Sequence, residues 1–157
     1  MTMWFYFLHV LAALWLAAGV FGGAVVRAQT RRAADLAGRV FGLRLAWRMT
    51  AVYTLPGAIV AGLLGFYLVS GRGYSFSVRW VQVSVVLYLL MLAVTLAYLV
   101  PRLRRTLAAA EASLAAGAPT PEFQRLAGDK LPGILADVNA VGVVILTFLM
   151  VLKPWMR

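Results

Sequence analysis

The chain has 157 residues, 63% of them hydrophobic, with fifteen Lys and Arg, five Asp and Glu, one His and no Cys. Soluble domains are about 45–50% apolar, so the composition excludes an ordinary soluble protein, and the length allows a single domain. The lack of cysteine excludes disulfides, thiolate metal sites and cysteine nucleophiles.

The hydrophobic residues fall in four stretches, Met3–Val26, Thr50–Val69, Val81–Val100 and Gly133–Leu152, and none contains a Lys or Arg. A helix of about 20 apolar residues crosses the ~30 Å hydrocarbon core of a bilayer. The expected fold class is therefore all-α: a polytopic membrane protein, a four-helix transmembrane bundle forming one domain over residues 1–157. The net charge of +10 could suggest nucleic acid, but the basic residues lie between apolar helices. Arg27, Arg31, Arg32, Arg39, Arg44 and Arg48 flank connection 27–49, and Arg102, Arg104, Arg105, Arg125 and Lys130 lie in connection 101–132. Only Arg72, Arg79, Lys153 and Arg157 fall on the other side. The positive-inside rule makes the first and third connections cytoplasmic and puts both termini outside. The expected partner is the lipid bilayer, not nucleic acid, and the same cations suit anionic headgroups.

The first span opens on Trp4-Phe5-Tyr6-Phe7, an aromatic cluster of the kind that favours the membrane interface, with Tyr74, Phe76, Trp80 and Trp155 expected at the same level and Trp47 opposite. It has no basic n-region and exceeds the 7–15 apolar residues of a signal peptide, so it reads as a retained anchor. Small residues recur at spacing four (Ala13 and Ala17, Ala18 and Gly22, Gly19 and Gly23), and again in the second span (Ala58 and Gly62, Ala61 and Gly65). Such rows let helix backbones approach closely where lipid gives no hydrophobic drive to associate. The first connection predicts a helix over 28–47 capped by Thr30. Leu36, Val40, Phe41 and Leu45 give it an apolar face, and it either lies on the membrane surface or extends the first two spans.

Pro56 predicts a kink over Val52–Pro56, with Tyr53 and Thr54 placed to satisfy freed backbone groups. The short, Gly-rich connection Ser70–Ser77 makes the second and third spans antiparallel neighbours. After Pro101 a helix continues to about Ala116, where Gly117 and Pro119 end it. Thr120 caps a short helix with Pro121 in its first turn, and Pro132 opens the fourth span. There is no long repeat and no low-complexity segment.

Few polar groups are left to carry chemistry. His9 lies about two turns inside the first span, on a face with Phe5, Ala13 and Leu16. Ionisable residues within spans are functional-site candidates, and imidazole ligates haem and other metals; an interfacial His bonded to a neighbouring helix is the competing reading. One His gives one axial ligand, so the other would come from a Met, a water or a second copy. Asp137 is the single acid inside a span and is expected to pair with Arg44 or Arg48, a reading that competes with a proton relay. Lys153 can snorkel to the outer interface. Met3, Met150 and Met156 join His9 on the outer side, where thioethers and imidazole suit Cu(I). The sequence has no phosphate loop, Ser-His-Asp set, HExxH motif or paired carboxylates, which excludes hydrolases and kinases.

Three stretches carry a resemblance. They are Leu8-His9-Val10-Leu11-Ala12-Ala13-Leu14-Trp15 with Ala18-Gly19-Val20-Phe21 and Arg27; Trp80-Val81-Gln82; and Asn139 followed by Val144-Ile145-Leu146 and Val151-Leu152-Lys153-Pro154-Trp155. They resemble the small predicted integral membrane protein families of unknown function grouped with HemJ, a haem-containing protoporphyrinogen oxidase, and CopD, a copper-resistance protein. His9, Trp15, Gly19, Arg27, Asn139 and Lys153 fall at matching places. HemJ carries His and Lys after its third-span Trp, where this chain has Gln82 and Ser84. The resemblance implies a prokaryotic plasma-membrane protein binding haem b or another tetrapyrrole. His9 would then ligate the metal, Asn139 would belong to the site, and Arg27 or Lys153 would neutralise carboxylates according to the leaflet holding the ring. A structural or accessory subunit of a homo-oligomer or larger membrane complex is the alternative, and copper handling the third reading.

Overall fold

In the computed structural model, residues 2–71 and 76–154 are described; Arg72, Tyr74, Trp155, Met156 and Arg157 lie outside them. Seven α-helices follow in chain order: α1 Thr2–Arg32, α2 Leu36–Met49, α3 Leu55–Gly71, α4 Arg79–Val94, α5 Val100–Ala115, α6 Pro121–Gly128 and α7 Leu131–Leu152. Two five-residue π-helical turns, Thr50–Thr54 and Thr95–Leu99, join α2 to α3 and α4 to α5 without a break. Among the described residues there is no strand. Four helical runs are long and apolar enough to cross a membrane: Met3–Arg32, Leu36–Gly71, Arg79–Ala115 and Pro121–Leu152.

The second and third runs have 36 and 37 residues, or about 55 Å at 1.5 Å per residue. They therefore overreach the hydrocarbon core, and the excess lies at the end that the positive-inside rule assigns to the cytoplasm. There α2, α5 and α6 form a small lobe around Val40, Ala109, Ala110, Phe123 and Leu126, with Leu36 and Leu43 packed on it. The first connection is thus an extension of the spans and not a surface helix. Its apolar face is Leu36, Val40, Leu43 and Ala46, whereas Phe41 points outward at 68% exposed. The cap also differs from expectation. The first helix runs on to Arg32, and Thr30 sits inside it, donating to the Val26 carbonyl and packing under Gly42. Asp35 caps α2 instead, accepting from the Gly38 amide at 2.8 Å.

The expected caps beyond α5 are present. Gly117 turns the chain with φ +73°, and Thr120 accepts from the Phe123 amide at the start of α6. The Ser113 hydroxyl, fully buried, accepts from the Thr120 amide at 3.0 Å and donates to the Ala109 carbonyl at 2.8 Å, fastening α6 to α5.

The seam of small residues holds α1 to α3. A Cβ on Gly19 would stand 2.6 Å from the Thr54 amide nitrogen, and one on Gly57 would stand 2.6 Å from that of Leu16. Across the bundle α4 packs on α7, which also touches α1. The second and third spans meet more lightly, chiefly where Tyr88 packs on Gly62 and donates to the Ala58 carbonyl at 3.0 Å.

Both π turns precede a proline within one repeated pattern, Thr-x-x-Tyr-x-x-Pro: Thr50, Tyr53 and Pro56, then Thr95, Tyr98 and Pro101. In an α-helix the proline ring would clash with the carbonyl four residues back. A turn with one extra residue moves that carbonyl away, and the amides of Leu55 and Val100 reach back five residues to Thr50 and Thr95. Thr50 and Thr95 also bond the carbonyls of Ala46 and Met91 at 2.9 and 2.8 Å. The place where a kink is expected before Pro56 is a widened turn, and Thr50 with Thr54, not Tyr53, supplies the extra bonds.

Candidate functional site

Two cavities lie along the bundle axis. The smaller, about 110 Å³, lies between α1, α3, α4 and α7 in the half that the positive-inside rule assigns to the outside. His9 points into it, which settles the orientation its apolar helix face left open. Its Nε2 lies 3.5 Å from the Met150 sulfur. Its Nδ1 is buried against the α3 backbone at Ala61 and Gly65, with no hydrogen bond of good geometry. Gly65 is the residue that admits the ring, since a Cβ there would stand 3.2 Å from the imidazole. Ser84 and Thr147 share this cavity, but their hydroxyls bond the helix carbonyls of Trp80 and Val143. Met3 is 78% exposed and stands apart from the cavity, so of the outer methionines described only Met150 joins His9.

The larger cavity, about 450 Å³, occupies the half that the same rule assigns to the cytoplasm and ends on the lobe residues Phe123 and Leu126. Its walls are mostly apolar, and both π turns contribute to them through Thr50, Thr54, Thr95 and Leu99. Asn139 lines it and donates to Thr95 Oγ1 at 2.9 Å and to the Met91 carbonyl at 3.4 Å. Four guanidinium groups, those of Arg27, Arg31, Arg39 and Arg102, ring its basic end. Leu16, Tyr88, Val143 and Leu146 line both cavities and form the layer between them.

The candidate residues are thus distributed. Arg27 and Asn139 line the inner cavity, His9 the outer one, and Lys153 neither. Lys153 ends α7 in a left-handed conformation, φ 43°, with its amine 6.0 Å from the Trp80 ring centre. Asp137 does not reach Arg44 or Arg48. It binds Arg27 at 2.6 Å, because α7 starts beside the end of α1, while Arg44 is turned to Glu111 at 2.8 Å. Sequence reasoning passed over Arg31, Arg39, Arg102, Tyr88 and Thr95 as site residues. The repeated Thr-x-x-Tyr-x-x-Pro pattern would have pointed to Thr95.

A haem site needs room for the macrocycle and an axial ligand. An apolar cavity of about 150 Å³ holds one benzene, so the 110 Å³ at His9 does not admit a tetrapyrrole. The inner cavity is within the 300–1,000 Å³ usual for ligand sites, but no histidine lines it. The two requirements fall on opposite sides of the Tyr88 layer.

Four apolar spans joined by extended basic ends, with no strand among the described residues, define an all-α integral membrane protein of the multi-pass type. The chain belongs to the family described as predicted integral membrane protein (DUF2269), whose model matches residues 4–154. Comparison with curated proteins and with solved structures found no match.

Proposed function

We propose that this chain is a binding protein of the inner half of the bilayer, which holds a ligand with a sizeable apolar body in the cavity between its four spans. The observation that supports it is the 450 Å³ volume at the bundle axis. In a bundle whose helices otherwise touch backbone to backbone at Gly19 and Gly57, a half-open cavity of this size, within the roughly 300–1,000 Å³ usual for ligand sites, supports a bound occupant. The π turns that widen the helices beside it fit the same reading, since such turns are frequent at functional sites.

Gly23 supplies the test. It lines the cavity, and a Cβ placed on it meets nothing closer than the Arg27 guanidinium at 4.0 Å. A side chain can therefore start from Gly23 without a clash at its Cβ, and Gly23→Leu is expected to fill part of the cavity. Solvent extraction of the purified protein, followed by mass spectrometry, is expected to yield a hydrophobic molecule at near one per chain, and far less from Gly23→Leu. Equal recovery from both would overturn the proposal.

A second reading is haem with His9 as axial ligand, in a prokaryotic plasma membrane. The presence of His9 and Met150 on one cavity supports it, because imidazole and thioether are groups that would hold haem iron, once they separate to admit it. This reading requires the Leu16, Tyr88, Val143 and Leu146 layer to open so that the ring can reach His9. An absorption spectrum of protein expressed with ample haem tests it. A Soret band lost in His9→Ala supports the reading, and a featureless spectrum removes it.

A further inference from the structure

We infer that the ligand of the inner cavity carries a dianionic head group, a phosphomonoester, gripped by Arg31 and Arg39; this rests on the cavity being a ligand site.

The charges around the cavity are unequally matched. Arg27 is balanced by Asp137 at 2.6 Å and Arg102 by Asp129 at 2.8 Å. Among the described residues, Arg31 and Arg39 have no carboxylate within ion-pair distance. Two cations therefore remain uncompensated on the lining of one cavity.

Both are placed, not merely solvated. The Arg31 guanidinium lies over Gly133 at the start of α7, in the space a side chain there would fill. Arg39 is held through its Nε, which donates to the Ala33 carbonyl at 3.3 Å. That bond uses one donor and leaves the two terminal nitrogens for a ligand. A guanidinium matches phosphate oxygens in a bidentate fork, and a phosphomonoester carries about −1.5 to −2 at neutral pH, which balances two guanidinium groups. Arg31 is exposed and Arg39 half-buried, and away from the arginines the lining is mostly apolar, so a head group fits at the rim with its hydrocarbon inward. Such a molecule can be a bilayer lipid or a prenyl phosphate entering from water.

The test uses the full chain in detergent with added phosphatidic acid, phosphatidylglycerol, diacylglycerol or farnesyl phosphate, and native mass spectrometry as the readout. Phosphatidic acid is expected to bind at least tenfold more tightly than phosphatidylglycerol, which has one charge. The combined variant Arg31→Gln and Arg39→Gln should bring the two within twofold. Arg32→Gln with Arg48→Gln removes the same charge from exposed positions outside the cavity and should keep the preference. Equal binding of the two lipids to the unaltered protein, or a preference that survives loss of Arg31 and Arg39, would overturn the inference.

Gly23→Leu separates this from the underlying reading. If it abolishes diacylglycerol binding while phosphatidic acid shows no advantage, only the head-group inference fails. If it leaves binding of every probe unchanged, the cavity is not the site and both fail. Arginine-dependent competition by farnesyl phosphate assigns the head group to a prenyl phosphate. Its failure to compete, beside arginine-dependent phosphatidic acid binding, assigns it to a bilayer lipid.

Discussion

Arg27 on α1 and Asp137 on α7 form an ion pair, Nη2 to Oδ1 at 2.6 Å, that ties the first span to the last at the rim of the inner cavity. The arginine is 30% exposed and the carboxylate 71%, on the outer surface of the bundle. In a membrane that surface meets headgroups and lipid, where an unpaired charge is poorly solvated. Removing one partner strands the other.

Asp137→Asn and Arg27→Gln are each expected to lower stability by about 1–2 kcal/mol, less than the figure for a charge at the bilayer centre because this pair lies near a helix end. The double variant should lose less than the sum. Thermal unfolding of the four proteins in detergent gives the coupling, and a value indistinguishable from zero would show a pair without consequence.

At Gly57 a side chain would meet the backbone of Leu16, which cannot move aside as a flexible side chain can. Gly57→Val is expected to cost about 1–3 kcal/mol through overpacking. Gly71→Val, where a Cβ would meet nothing within 4 Å, should leave the unfolding midpoint much closer to that of the parent. Similar losses at both positions would argue against a close α1–α3 seam.

Ser113→Ala leaves the part-buried Thr120 amide without its acceptor. Loss of one such hydrogen bond costs about 0.5–1.5 kcal/mol. The expected result is local: faster hydrogen exchange over α6 and the turn before it, with α1 unchanged. Uniform protection equal to the parent would mean that the Ser113 bonds do not hold the lobe.

Asn139→Leu removes the bond to Thr95 within the membrane. Interhelical hydrogen bonds there average about 0.6 kcal/mol, so stability should change little. Ligand recovery is the sharper readout, since Asn139 lines the inner cavity, and it is expected to fall; recovery equal to that of the parent would show that the amide takes no part in binding.

A reporter fused after Arg157 checks the orientation. The basic bias of the first and third connections predicts an extracytoplasmic signal. A cytoplasmic signal would invert the bundle and place the large cavity in the outer leaflet.

The sequence by itself determined the class and the layout of this protein. Stretches of apolar residues long enough to span, flanked by basic connections, leave only helices, because backbone groups in hydrocarbon must be satisfied within the segment. Thr120, Pro121, Gly117 and Pro132 mark their boundaries through local backbone chemistry that acts over a few residues. The small-residue rows were legible for the same reason, since close packing depends on size, but only some of their members lie in the α1–α3 seam: Gly19 and Gly65 do, whereas Gly23 faces the cavity and Gly62 packs on Tyr88 of α4. What the tertiary structure decided is everything that depends on which helix ends lie together. Asp137 found Arg27 instead of Arg44 or Arg48 because antiparallel α1 and α7 bring those ends side by side. His9 and Asn139 went to different cavities because depth along the bundle axis, set by packing, divides them at Tyr88. The two uncompensated guanidinium groups emerge only from that same pairing, since a sequence counts charges but does not match them.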